Sequence, residues 1–125
     1  MSRFRQREQA MIYLYQTILR EAIDQAIDTD AFLELSDDYR KVITHIFQEK
    51  DELIELIQDE LYEWEFDRLG YIEQSILLLA CGEAIIMATP KQVIINEMVE
   101  LTKQYGDQDD TYKLINATLD KVLDI

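Results

Sequence analysis

Glycine and proline are scarce in this sequence of 125 residues, which contains three glycines and one proline. Sheet proteins need many turns, and these two residue types most often supply them. Leucine, isoleucine, glutamate, glutamine, alanine and lysine are plentiful instead, as in long helices joined by short connections. A chain of this length suits one domain with a buried core. The composition therefore predicts a single all-α domain over residues 1–125.

Long apolar runs are also absent, since none approaches the roughly 20 residues that a transmembrane helix requires. The most apolar stretch, residues 75–80, lies between Glu73 and Glu83. The N-terminus lacks the apolar region and cleavage site of a secretory signal peptide. The single cysteine, Cys81, cannot form an internal disulfide, which agrees with a reducing compartment. We therefore expect a soluble cytoplasmic protein that does not bind membranes.

Residues that support catalysis or metal binding are few. His45 is the only histidine, and the apolar spacing around it leaves its side chain sideways or outward on a helix. Cys81 lies among apolar residues, which is typical of a small buried hydrophobe rather than a reactive thiol. The acidic residues 107–110 lack the central glycine and final glutamate of an EF-hand loop. The sequence therefore predicts no enzyme activity, no metal site and no cofactor.

Apolar residues at helical spacing predict the elements of the first half. A first helix runs over about residues 3–24, and residues 25–35 form a connection with room for one short helix. Ser36 is the expected N-cap of the next helical segment. This segment continues to about residue 62, either as one helix or as two helices that meet near Asp51. Its predicted buried stripe comprises Tyr39, Val42, Ile43, Ile46 and Phe47.

The second half shows three further helices. Residues 69–86 are apolar on most sides, as expected for a central helix. Thr89 and Pro90 form the pattern of a capped helix start, and Gly106 suits the left-handed residue that ends that helix. The acidic residues 107–110 are expected to cap a last helix. Six or seven helices in one bundle is the economical interpretation.

Positive charge is concentrated at the N-terminus of a strongly acidic chain. The net charge of −14 argues against phosphate binding, yet the first twenty residues hold four arginines and only one glutamate. Arg3, Arg5 and Arg7 lie at a helix start, where positive charge opposes the helix dipole. Arginine pairs with phosphate and stacks on unpaired bases. An RNA contact and an ordinary solubilising role both fit this segment.

Four stretches of the sequence match the patterns of one known family. Residues 90–106 read P-x-x-V-x-I-N-E-x-x-E-L-x-K-x-Y-G, and Asn116 is followed by Leu-Asp-Lys at residues 119–121. Residues 64–83 follow W-x-x-x-R-L-x-x-I-x-x-x-I-L-x-x-A-x-x-E, and residues 3–15 match an arginine-rich start. Together these stretches resemble the NusB family of bacterial transcription antitermination factors.

The resemblance implies a NusB-type helical bundle in two packed halves, residues 1–63 and 64–125. It implies a factor that binds boxA-type single-stranded RNA with the ribosomal protein NusE and acts on RNA polymerase during ribosomal RNA transcription. The residues that would contact RNA are Arg3, Arg5, Arg7, Tyr15, Lys113 and Asn116. Those that would lie at or near the NusE surface are Glu83, Ile86 and Pro90.

The sequence departs from the family pattern at several positions. Ala117 replaces the glycine after Asn116, and one extra residue separates Gly106 from Asn116. Leu114 replaces an aromatic residue that would stack on RNA. An alternative function is therefore an acidic helical adaptor or homodimer of the same fold that does not bind RNA. A related domain precedes ribosomal RNA cytosine methyltransferases, but no methyl-donor domain follows Ile125 in this sequence.

Overall fold

Residues 1–124, described by the computed structural model, form seven α-helices and one short 3-10 helix. The α-helices are α1 (Arg3–Ala22), α2 (Thr29–Leu33), α3 (Asp37–Gln48), α4 (Lys50–Gln58), α5 (Tyr71–Met87), α6 (Lys91–Tyr105) and α7 (Thr111–Val122). The 3-10 helix, Phe66–Arg68, precedes α5. No strand occurs in this part of the chain. The prediction of an all-α fold with about six or seven helices is confirmed.

The helical segment after Ser36 consists of two helices, α3 and α4, separated by Glu49. Ser36 caps α3 as predicted, because its Oγ accepts a hydrogen bond from the Tyr39 backbone N–H at 3.4 Å. α2 is the short helix in the connection after α1. It begins after Asp28, whose carboxylate accepts a hydrogen bond from the Ala31 N–H at 3.1 Å.

The start of α6 differs from the prediction. Pro90 is the N-cap residue, and Thr89 does not cap the helix; its hydroxyl donates a hydrogen bond to Glu83 Oε1 at 3.2 Å instead. The Thr89 hydroxyl therefore bonds to the buried carboxylate of Glu83 and not to the backbone at the start of α6. The left-handed residue of this corner is Ala88, which ends α5 with φ of 52°.

α6 ends at Gly106 as predicted, but the left-handed conformation predicted for this glycine and the acidic cap predicted for α7 are wrong. Gly106 has an extended backbone, with φ of −65° and ψ of 154°. A Cβ at this position would lie 2.6 Å from the Thr102 carbonyl oxygen, so close backbone approach accounts for the glycine. Asp110 is the N-cap residue of α7, but its carboxylate makes no capping hydrogen bond.

α5 is the centre of the bundle, as its apolar character predicts. It contacts α1, α3, α4, α6 and α7, and all residues from Glu73 to Glu83 are buried. At Gly82, a Cβ would lie 2.8 Å from Ile46 Cγ1 and 2.9 Å from Val42 Cγ1. The missing side chain therefore allows α3 and α5 to pack closely. The expected division near residue 63 lies in the loop after α4, and α5 packs against helices from both sides of it.

The buried stripe of α3 is shorter than predicted. Its other members are fully buried, but Phe47 is 37% exposed, and its ring centroid lies 6.4 Å from that of Tyr13. His45 is half-buried beside it. Cys81 is buried as predicted, and burial raises the pKa of its thiol to about 12. None of the helices in residues 1–124 combines the length and apolar character needed to cross a bilayer.

Candidate nucleic-acid interface

Arg7 and Glu83 form a buried ion pair between α1 and α5. The guanidinium donates hydrogen bonds from Nε to Glu83 Oε2 at 2.9 Å and from Nη2 to Glu83 Oε1 at 2.6 Å. Glu97 Oε2 lies 3.7 Å from Arg7 Nη1. Burial alone would lower the pKa of Arg7, but the hydrogen bonds and charge of Glu83 raise it. The charges of Arg7 and Glu83 therefore compensate each other in the protein interior.

This pair corrects two expectations about direct contacts. Arg7 is 2% exposed and Glu83 is fully buried, so neither side chain reaches a ligand on the surface. Tyr39 is buried next to the pair, and burial together with the negative charge of Glu83 raises the pKa of its hydroxyl. The structure therefore gives Arg7 and Glu83 the role of joining α1 to α5.

Arg3 and Arg5 remain at the surface. The Arg3 side chain is 46% exposed and lies 3.3 Å from Asp38 Oδ2. The Arg5 side chain is 64% exposed and lies 2.8 Å from Glu8 Oε1. Exposed ion pairs contribute little to stability and are screened by salt. The Arg3–Asp38 pair is of this kind, so Arg3 can exchange its carboxylate for a phosphate at small cost. The Arg5 guanidinium is also accessible, but its pair differs, because the Glu8 side chain is only 5% exposed.

Glu8 connects the start of α1 to the end of α6. Its Oε2 accepts hydrogen bonds from the Tyr105 hydroxyl at 2.8 Å and from Gln104 Nε2 at 3.4 Å. The hydrogen bond to Glu8 raises the pKa of Tyr105. Because Glu8 also pairs with Arg5, the exposed arginine lies beside the C-terminal end of α6.

A basic and aromatic pair joins α6 to α7. Lys103 Nζ lies 4.8 Å from the centroid of the Tyr112 ring, within the range of a cation–π interaction. Lys113 and Asn116 follow on α7, and both are exposed. Tyr112 offers an aromatic ring two residues before Leu114, where the sequence lacks the aromatic residue of the family pattern. We call Arg5, Lys103, Tyr105, Tyr112, Lys113 and Asn116 the α1–α7 surface.

Part of the α1–α7 surface lines a groove of about 400 Å³ between α6 and α7. Lys103, Tyr112 and Asn116 contribute to its walls, together with Asn96 and Glu97. Glu97 is the carboxylate that lies 3.7 Å from Arg7 Nη1. Glu97 therefore links the wall of the groove to the buried arginine of α1.

Tyr15 stands apart from these contacts. It is half-buried on α1, ten residues after Arg5, which corresponds to about 15 Å along the helix axis. Within residues 1–124, no hydrogen bond links its side chain to Arg5, Lys103 or Lys113. Its contact with RNA stays a prediction.

The residues expected to face a protein partner lie at the corner between α5 and α6. Ile86 is 39% exposed, Pro90 is exposed, and Ile85 and Val93 are 49% and 44% exposed. Exposed apolar side chains grouped in this way are common at protein–protein contacts. We call these four residues the α5–α6 corner.

Comparison with known proteins identifies the family of this helical arrangement. Residues 4–124 match the NusB family. The chain belongs to the NusB family. The transcription antitermination protein NusB of an Exiguobacterium species is 34% identical over 98% of both chains. That of Staphylococcus epidermidis is 37% identical over 99% of this chain and 100% of the relative. The NusB of Crocosphaera subtropica is longer, and 56% of its length is matched.

Solved structures share the fold. T. maritima NusB gives a TM-score of 0.87 at 26% identity and covers 98% of this chain and 91% of its own. A chain from the crystal structure of a plectonemic RNA supercoil gives a TM-score of 0.75 at 24% identity, which shows the same fold. The prediction of a NusB-type bundle is confirmed. Membership of the NusB family places the chain among transcription antitermination factors and not among enzymes.

Proposed function

We propose that this member of the NusB family binds boxA-type single-stranded RNA together with the ribosomal protein NusE and acts on RNA polymerase during ribosomal RNA transcription. The main observation in favour is the α1–α7 surface, which places exposed basic groups beside aromatic rings. Single-stranded RNA binding uses this combination, since basic groups track the phosphates and rings stack on bases. A role in bacterial transcription implies action in the cytoplasm.

The exposed cations would contact the RNA backbone. Arg5, Lys103 and Lys113 each carry a charge at the surface, and Arg3 adds a fourth beyond Arg5. We assume that the first three each neutralise one phosphate, and each such contact contributes roughly −0.7 to the salt slope on a single strand. A plot of the logarithm of the affinity against the logarithm of the salt concentration should then have a slope of about −2. Asn116 would add a hydrogen bond to a base or phosphate.

The α5–α6 corner would contact NusE. Ile86 and Pro90 supply accessible apolar surface there, whereas Glu83 is buried and binds Arg7 and the Thr89 hydroxyl. The net charge of −14 would attract a basic ribosomal protein and accelerate the encounter. NusE would then supply positive charge that this acidic chain lacks, so the pair would hold RNA better than this chain alone.

The test is fluorescence anisotropy of a labelled boxA-type RNA, with and without NusE, at two salt concentrations. We expect selective binding that NusE strengthens. Arg5→Gln should weaken binding, whereas Arg20→Gln should not, because Arg20 lies at the other end of α1 and is 36% exposed. Equal effects of the two substitutions would count against the α1–α7 surface as the RNA site.

A second candidate function is a helical adaptor or homodimer that does not bind RNA. The exposed apolar side chains of the α5–α6 corner favour it, because they suit a protein partner or a second copy of this chain. This alternative predicts no selective RNA binding in either condition of the anisotropy experiment. It also predicts that Ile86→Asp weakens partner binding or dimerisation while Arg5→Gln does not.

A further inference from the structure

A second cavity, of about 500 Å³, lies on the opposite face of α7 from the groove of the α1–α7 surface. The loop before α5 and the loop between α6 and α7 enclose it. Its walls include one aromatic residue, one arginine and three acidic residues: Trp64, Arg68, Glu73, Asp107 and Asp110. Neither the antitermination function nor the RNA contacts proposed above use these residues.

Glu73 places a buried carboxylate at this cavity. Glu73 is 3% exposed, and its Oε1 accepts a hydrogen bond from the Asp107 backbone N–H at 3.3 Å. Its Oε2 has no hydrogen-bond donor among residues 1–124, and no lysine or arginine of this part of the chain pairs with it. Buried carboxylates are normally paired because desolvation of an isolated charge is costly. The second oxygen therefore lacks a partner of positive charge.

Asp107 brings a second carboxylate to the same place. Both Glu73 Oε2 and Asp107 Oδ2 face the Cα of Gly70, and a Cβ built on this glycine would lie 2.9 Å from Asp107 Oδ2. The absence of a side chain at Gly70 leaves room for the two carboxylates to converge. Two negative groups at such a site repel each other unless a cation lies between or beside them.

Trp64 determines which kind of cation fits. Its side chain is half-exposed at the cavity wall, and an indole ring is the aromatic group that attracts organic cations most strongly. No group of three or more His, Cys, Asp or Glu side chains in residues 1–124 is placed to hold a metal ion. The combination of an indole with two carboxylates therefore favours an organic cation over a metal.

We propose that this cavity binds an alkylammonium or guanidinium group. Asp107 supplies the accessible oxygen that accepts hydrogen bonds, Glu73 supplies the buried charge behind it, and Trp64 supplies the ring face. The same chemistry is available from a lysine or arginine side chain of a basic protein and from a free polyamine.

Arg68 is the internal competitor for this site. It lines the cavity, is exposed, and forms no ion pair within 4.0 Å among residues 1–124. A positive charge at the wall disfavours an entering cation, so Arg68→Gln should tighten binding several-fold. The neutral side chain leaves the carboxylates and the indole in place.

The experiment uses Trp64, the only tryptophan of the chain, as a fluorescent reporter in the cavity. The full chain is titrated with N-acetyl-arginine amide, N-acetyl-lysine amide and spermidine. N-acetyl-citrulline amide, which has nearly the shape of the arginine probe without its charge, is the control. We expect a saturable change in emission with the cations and none with the citrulline compound. Tighter binding of the arginine probe than of spermidine assigns a protein side chain as the ligand, and the reverse order assigns a polyamine.

Three variants locate the binding. Glu73→Gln keeps the shape and the acceptor for the Asp107 N–H but removes the charge, and should weaken binding about tenfold or more. Asp107→Asn changes only an exposed side chain and should also weaken it. Glu100→Gln, on the exposed face of α6 outside the cavity, removes the same charge and should leave binding unchanged.

Several results would overturn the proposal. The proposal is wrong if the Trp64 emission of the native chain shows no saturable change, if the citrulline compound gives an equal change, or if Asp107→Asn binds the cations as tightly as the native chain. A response that occurs only in Arg68→Gln would show that Arg68 fills the site itself, which also excludes an external ligand in the native chain.

Discussion

The Arg7 guanidinium and the Glu83 carboxylate face each other across the interface of α1 and α5, joined by two hydrogen bonds of 2.9 and 2.6 Å. Removal of one partner leaves the other charge buried without compensation. We expect Glu83→Gln to lower the free energy of unfolding by about 3–5 kcal/mol. Urea denaturation followed by circular dichroism measures this change.

The matched control for this prediction is the exposed pair between Arg3 and Asp38, which lie 3.3 Å apart. Asp38→Asn should cost less than about 1 kcal/mol, because solvent screens the pair. Losses of similar size in the two variants would contradict the structural role given to the buried pair.

Tyr112 is expected to stack on an RNA base. Tyr112→Leu keeps an apolar side chain but removes the ring, and should weaken RNA binding by about 1–3 kcal/mol, the usual value for one base stacked on an aromatic ring. Tyr62→Leu is the control, since Tyr62 also lies beneath a lysine, Lys121 at 5.5 Å, but outside the α1–α7 surface. Anisotropy titrations at one salt concentration compare them, and an equal effect of the two changes would exclude Tyr112 as the stacking residue.

Ala88 occupies the left-handed region, with φ of 52°. A Cβ in this conformation costs roughly 1–2 kcal/mol, whereas glycine adds unfolded-state entropy of roughly 0.4–1 kcal/mol. Ala88→Gly should therefore raise the free energy of unfolding by roughly 0.5–1 kcal/mol. Asp24, with φ of 57°, is the control, because aspartate tolerates this region and Asp24→Gly should gain less. Thermal denaturation measures the change in stability of both variants. A loss of stability in Ala88→Gly would contradict the prediction.

Cys81 should be inert in the folded protein. Burial raises the pKa of its thiol from 9.0 to about 12, so the folded state favours the neutral form. Cys81 therefore contributes stability that is complete below pH 9 and is lost as the pH rises from 9 towards 12. At pH 8 we expect 5,5′-dithiobis(2-nitrobenzoate) to label the thiol in urea but not in buffer. Rapid labelling in buffer would show that solvent reaches the thiol. In Cys81→Ala, the loss of stability between pH 9 and 12 should be smaller, because no thiol is left to ionise.

Local patterns in the sequence were sufficient for most of the helices. The apolar spacing of α1, the Ser36 cap and the all-round apolar character of α5 depend on neighbouring residues, and each was predicted correctly. The start of α6 was not, because the Thr89 hydroxyl bonds to Glu83 on the preceding helix. A tertiary contact therefore replaced the local cap.

The candidate site was less predictable because it depends on contacts between distant helices. Three arginines near the N-terminus have similar sequence surroundings, yet only Arg7 is buried. One signal was available, since Arg7 precedes the buried Met11 by four residues and Leu14 by seven, which places all three on one helix face. No such signal identified Lys103 and Tyr112, whose contact depends on how α6 and α7 are packed.

The separation of Arg7 and Glu83 along the chain governs the order in which the protein can assemble. Their contact spans 76 residues, so a nascent chain that ends before α5 carries an arginine without its carboxylate and the uncovered apolar faces of α1 and α3. Such exposed faces favour aggregation until the missing partner is made. α1 therefore lacks its buried partner until α5 has been synthesised, and the helices before α5 depend on later synthesis for their final structure.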